Sequence, residues 1–164
     1  MKIEMKPLRI LLRFAVFITV AFFVFNYFFS TLNKVEEENE IYLNNDVQFG
    51  GIVKSLKVSN NHRFGIITLS VVENQSTIFN QNSSDDRSML FPYSLENDFA
   101  EIYEYVPSGL SVGDSIYLNS KERLIKYFYT KENKQFKGRL KMITDGFDID
   151  FVNQNSQLKL LIKK

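Results

Sequence analysis

Hydrophobic positions follow two different periods along this chain. Between residues 10 and 29 they are almost continuous, ILLRFAVFITVAFFVFNYFF, with Arg13 as the one charge in the run. A helix rises about 1.5 Å per residue, so about twenty residues cross the ~30 Å hydrocarbon core of a bilayer. The run therefore predicts a transmembrane helix over 10–29. Residues 30–46 are polar and acidic, with Leu32, Val35 and Tyr42 at loose helical spacing. They read as a brief extension of that helix followed by a juxtamembrane linker.

From Val47 the period becomes two. Val47, Phe49, Gly51, Val53 and Val58 define a first strand region in which Gly50-Gly51 marks a bulge. Asn60-Asn61-His62-Arg63 has turn composition, and the β-branched run 64–72 completes a hairpin. The stretch 80–86, Asn-Gln-Asn-Ser-Ser-Asp-Asp, carries too little apolar content to pack and reads as a polar excursion. Residues 89–93 re-enter the sheet and stop at Pro92. After Ser94, a residue type that caps helices, Leu95, Phe99, Ile102, Tyr103 and Val106 fall at helical intervals. That spacing predicts one short helix, ended by Pro107-Ser108-Gly109.

Strands follow at 115–118 and 124–130. In 136–143 the alternation is clean: Phe136, Gly138, Leu140 and Met142 face one way, and Lys137, Arg139 and Lys141 the other. A turn at Thr144-Asp145-Gly146 leads to a last predicted strand over 147–152, and a polar tail closes the chain. The expected fold class is all-β with one amino-terminal transmembrane helix and one short helix. Short strands separated by frequent turns predict a small antiparallel, partly closed barrel of the SH3-like or OB-like kind, which protects its edges. The expected organisation is a basic cytoplasmic tail over 1–9, the anchor over 10–29, the linker over 30–46, an exported β-domain over 47–152 and the tail over 153–164.

Charge sets the expected orientation. Lys2, Lys6, Arg9 and Arg13 precede or open the span, whereas Lys34 and then Glu36, Glu37, Glu38 and Glu40 follow it. The positive-inside rule leaves the amino terminus in the cytoplasm and exports the body to the periplasm or the outside. Signal peptidase needs small residues one and three positions before its cut, but a cut after Ser30 places Phe28, and a cut after Thr31 places Phe29, at the inner position. The reading is therefore an uncleaved signal anchor in the inner membrane, with cleavage near Ser30 as the competitor. Composition rich in Asn, Lys and Ile is of bacterial type.

From residue 30 onward there are sixteen basic and eighteen acidic side chains, a balance that argues against nucleic acid as a partner. The chain has no cysteine and a single histidine, His62. Disulfides, thiolate sites and a histidine-rich metal centre are thereby removed, and neither a cofactor, a metal nor a catalytic residue is expected. Asp145, Asp148 and Asp150 lie close together, but the spacing lacks the central glycine and distal glutamate of a calcium loop. They read as a solvated turn.

Two features remain as candidates. Residues 121–141 hold eight basic side chains against two acidic ones, interleaved with Tyr127, Phe128 and Tyr129. Lys126, Lys137, Arg139 and Lys141 are the candidates for binding an anion or an acidic partner, against the plainer reading of a solvated, edge-protecting face. Gly113-Asp114 reads as a structural turn: glycine supplies a positive φ and Asp114 bonds back to the turn.

The combination Phe49-Gly50-Gly51-Ile52-Val53, the Asn60-Asn61-His62 turn and Val112-Gly113-Asp114-Ser115-Ile116 resembles a family of small uncharacterised Bacteroidetes proteins. Members pair an F-x-G-x-V strand with a later V-G-D-S-I turn and strand behind a membrane or lipoprotein anchor. The resemblance covers about residues 47–129. It implies an all-β exported domain and carries no activity.

The expected function is that of a membrane-anchored binding or assembly module of the bacterial envelope, its partner an envelope protein or an anionic polymer. Two alternatives stay open: an accessory subunit of a membrane complex, and an envelope hydrolase using carboxylates such as Asp114 or Asp145.

Overall fold

A computed structural model describes residues 6–77 and 89–158, with side chains from residue 11. Residues 1–5 of the expected basic tail, the polar excursion at 80–86 and the end of the carboxyl-terminal tail lie outside the described residues, whereas residues 6–9 already belong to a helix. The chain divides into two compact units, Met1–Glu40 and Ile41–Lys164.

The described part of the first unit is helical: α1 runs Lys6–Leu43, its last three residues being counted with the second unit. Its segment from Leu11 is long and apolar enough to cross a membrane, and its phenylalanines are exposed. Thr19 and Asn26, the polar residues of the span, return their side-chain hydrogens to the carbonyls of Ala15 and Phe22, at 2.9 Å each. Each thereby turns a side-chain donor back onto its own helix. The helix continues much further than the brief extension expected, so the linker shrinks to a few residues before the first strand.

The second unit is a seven-stranded antiparallel sheet: β1 Gln48–Val58, β2 Phe64–Asn74, β3 Tyr93–Glu96, β4 Phe99–Tyr105, β5 Ser115–Asn119, β6 Leu124–Tyr129 and β7 Lys134–Arg139. Their order is β3-β4-β2-β1-β5-β6-β7. The β1–β2 hairpin forms where the alternation placed it, and its register shifts at Gly50/Gly51 and again between Val53 and Ser55. Such shifts sharpen the twist and let one sheet curl around its own core. Closure is partial. The ends of the sheet meet through one bridge, in which Leu90, ahead of β3, and Ile143, after β7, exchange both backbone hydrogen bonds at 2.9 Å.

Inside the curl lie Phe49, Val53, Ile67, Leu69, Ile102, Ile116, Leu118, Ile125 and Tyr127, together with Leu43 from the last turn of α1. A polar node ties that turn to the sheet. The Ser120 hydroxyl donates to the Leu43 carbonyl at 2.6 Å, and the buried Tyr93 hydroxyl donates to Asn45 Oδ1 at 2.9 Å. Burial raises the Tyr93 pKa above the ordinary tyrosine value, with the bonds to Ser120 and Asn45 opposing the shift.

Two predicted elements are corrected. The stretch after Ser94 is not a helix but the β3–β4 hairpin, reversed at Asn97, which adopts a φ of +53°. The stretch predicted as a strand over 147–152 is a helix, α2 Gly146–Asn155. Asp145 caps it, its Oδ1 accepting the N–H groups of Phe147 at 3.0 Å and Asp148 at 3.1 Å. The two corrections have one cause. Helix α2 contributes Val152, with Ile149 and Phe151 beside it, to a second small core against Phe64, Ile66, Tyr103 and Ile143. This core covers the outer side of β2 and β4, so β4 is buried on both faces. Its apolar residues thus lose the period of two, while α2, half-exposed, shows an alternation that mimics a strand. Residues 89–93 also differ from expectation: Leu90 forms the closing bridge, and Pro92 precedes β3 rather than ending a strand.

Candidate site on the outer face of the sheet

The register of four strand pairs sets one row of residues across the outer face. Glu73 pairs with Gly50, Gly50 with Tyr117, Tyr117 with Lys126 and Lys126 with Lys137. A second row runs Ile52, Ser115, Phe128, Gln135. Glycine at position 50 leaves the first row without a side chain at its middle. A Cβ placed there would meet nothing closer than the Ile116 carbonyl oxygen at 3.6 Å. The resulting depression has a volume of about 440 Å³; Gly50, Gly51 and Ile52 form its floor, Val72 and Glu73 one wall, and Tyr117, Lys126 and Phe128 the other.

Gly51 has the opposite role. A Cβ on it would lie 2.6 Å from the Ser70 carbonyl oxygen and 3.2 Å from Leu69 Cβ, so β1 and β2 approach too closely here for any side chain. One glycine of the pair makes the depression; the other lets the strands that carry it come together.

Electrostatics distinguish the far wall. Lys126 stands directly opposite Lys137, an arrangement that disfavours pairing on a sheet. The Lys126 ammonium lies over the Tyr117 ring, 5.1 Å from its centroid, a cation–π contact worth about 0.5–1 kcal/mol at an exposed site. Neither lysine forms an ion pair among the described residues. Arg139 lies two residues beyond Lys137 on β7 and shares its face. Lys141 is placed elsewhere. It follows the strand and its charge acts on Glu104 of β4, whose pKa burial nonetheless raises, with the Tyr105 N–H and Lys141 opposing. Of the four basic candidates the structure thus brings three to one face and sets the fourth apart.

Gly113 and Asp114 occupy the turn ahead of β5. Gly113 has a φ of +94°, a conformation that side chains disfavour. Asp114 is only 3% exposed, yet its carboxylate accepts three hydrogen bonds: Thr130 N–H at 2.9 Å, Ser111 N–H at 2.8 Å and Ser111 hydroxyl at 3.1 Å. Burial alone would raise its pKa; the Thr130 and Ser111 bonds outweigh burial and lower it. Such a carboxylate holds its charge and has its lone pairs engaged, the reverse of a general acid. Asp145 is likewise engaged, as the cap of α2. Among the described residues no group of three His, Asp or Glu side chains is disposed to hold a metal.

Local charge density marks Lys126, Lys137 and Arg139 in the sequence, but nothing comparable marks Tyr117 or the depression. The one available signal was Gly50-Gly51, read as a bulge and not as space. A buried carboxylate also went unread. Glu101 is 0% exposed and accepts the Tyr103 hydroxyl at 3.0 Å, the Gln157 N–H at 3.0 Å and the Ser156 hydroxyl. The network locks the carboxyl-terminal end of α2 to β4. Burial first, and then the Glu101 charge, push the Tyr103 pKa far above the tyrosine range, so both groups serve as fixed structural partners.

No family model matches this chain, and neither the curated proteins nor the solved structures contain a match to it.

Proposed function

We propose that this protein is a membrane-anchored binding or assembly module of the bacterial envelope. In this reading α1 holds it in the inner membrane with the amino terminus in the cytoplasm, and the β-domain stands in the periplasm or outside. The observation that carries the reading is the row Gly50, Tyr117, Lys126, Lys137: an open depression with an aromatic wall and two adjacent cations that no acid of the described chain neutralises. Unneutralised like charges side by side destabilise a sheet and attract an anionic partner. The engagement of Asp114 and Asp145 in hydrogen bonds supports binding over carboxylate hydrolysis. The sequence likeness over 47–129 to anchored exported β-proteins points the same way.

Two measurements test it. Protease added to intact spheroplasts should digest the β-domain, and a protected domain would overturn the topology. Full-length protein in nanodiscs should bind polyglutamate, used as a model polyanion, with an affinity that falls at least fivefold in the double variant K126A/K137A. Equal binding by the variant would overturn the assignment of this face.

A further inference from the structure

Strand β7 ends the sheet, and among the described residues the backbone hydrogen bonds between Lys134 and Gly138 run only to β6. Alternate residues of such a strand direct their N–H and C=O groups outward, unpaired, as a template for another strand. We propose that β7 accepts an extended acidic peptide segment of a partner protein as an eighth strand. This rests on the reading of the basic face as an anion-binding surface and names the class of partner.

Three observations support it. Lysines commonly guard a free edge, but a guard does not require an aromatic ring in the middle of the strand, and Phe136 is 54% exposed there. Nor does a guard require Lys137 to stand opposite Lys126, where each charge disfavours the other. The other edge is less suited, because β3 has four residues, follows Pro92 and buries Tyr93, Ser94 and Leu95.

The two faces of β7 specify the partner. Lys137 on the outer face calls for an acid, and Phe136, beside it on the inner face, calls for an apolar residue at the adjacent position. A six-residue strand of this kind spans about 20 Å. A second copy of β7 is disfavoured, since it would set lysine against lysine.

The test uses full-length protein in nanodiscs and a nine-residue peptide alternating glutamate with valine, read by fluorescence anisotropy. Two further peptides carry N-methyl groups on one or the other alternate set of amides. Strand addition presents only one set to β7, so one methylated peptide should bind at least tenfold more weakly and the other within about twofold of the parent. K137E should weaken the parent at least tenfold, and a lysine–valine peptide should regain affinity for that variant, whose folding is checked by circular dichroism. If both methylated peptides match the parent, or if polyglutamate binds and the parent does not, strand addition is overturned while the anion-binding reading stands. If neither the parent nor polyglutamate binds, both fail.

Discussion

The carboxylate of Asp114 accepts the backbone N–H of Thr130 at 2.9 Å, joining the residue ahead of β5 to the residue after β6. Strands β5 and β6 carry Tyr117, Lys126 and Phe128, so this bond clamps one end of the strand pair that forms the wall of the candidate site. The same carboxylate holds its own turn through Ser111.

Asp114→Ala should therefore destabilise the domain by about 2–3 kcal/mol, because Thr130 and Ser111 lose a charged acceptor. The pH dependence has a definite sign. The folded-state pKa lies below the ordinary aspartate value, so the contribution is fully present above the unfolded value and is lost as pH falls through the lowered folded value. Denaturant midpoints of wild type and Asp114→Asn should differ most at neutral pH and converge once the pH has fallen below the lowered folded value. A constant gap across that window would contradict the clamp.

The adjacent glycines should respond differently to one methyl group. Gly51→Ala drives its Cβ into the Ser70 carbonyl, which is backbone and cannot swing away, and overpacking of this kind costs about 1–3 kcal/mol. Gly50→Ala meets only ordinary van der Waals contacts and should change the unfolding midpoint little. A bulkier residue at 50 should instead fill the depression and weaken polyglutamate binding in a folded protein.

Glu101→Ala should leave the Tyr103 hydroxyl and the Gln157 N–H facing a buried void, at a cost of about 3 kcal/mol. Hydrogen exchange should show loss of protection along α2 before the β1–β2 hairpin is affected. Glu101→Gln, which keeps an acceptor, should lose less.

Stability and binding should move in opposite directions at residue 137. K137E converts a like-charge pair with Lys126 into an opposite-charge one, worth about 0.5 kcal/mol, and the gain should fade with added salt. The same change should reduce affinity for polyanions. A variant neither stabilised nor weakened in binding would show that the pair carries no electrostatic tension.

The candidate site was legible only in its charges. A run of lysines and an arginine between 121 and 141 can be seen without coordinates, but whether they share a face depends on where the strand ends. Lys137 and Arg139 lie within β7 and join Lys126; Lys141 lies beyond its end and joins Glu104. The depression was hidden because an absent side chain gives no pattern, and its meaning came from the Tyr117 and Glu73 that register sets on either side of Gly50.

By itself, the order of residues determined the apolar amino-terminal helix, the β character of the body and the hairpins of β1–β2, β5–β6 and β6–β7. Those elements are decided by local period and turn chemistry, which in β1, β5 and β6 leave one face wet. Tertiary structure decided β3, β4 and α2. The outer side of β4 becomes a buried face only within the small core that Tyr103 shares with Val152 of α2, and α2 remains helical although its sequence alternates, with Phe147 left 78% exposed. Burial on two faces erases a strand's period, and the element that does the burying is distant in sequence, so no local window contains the information.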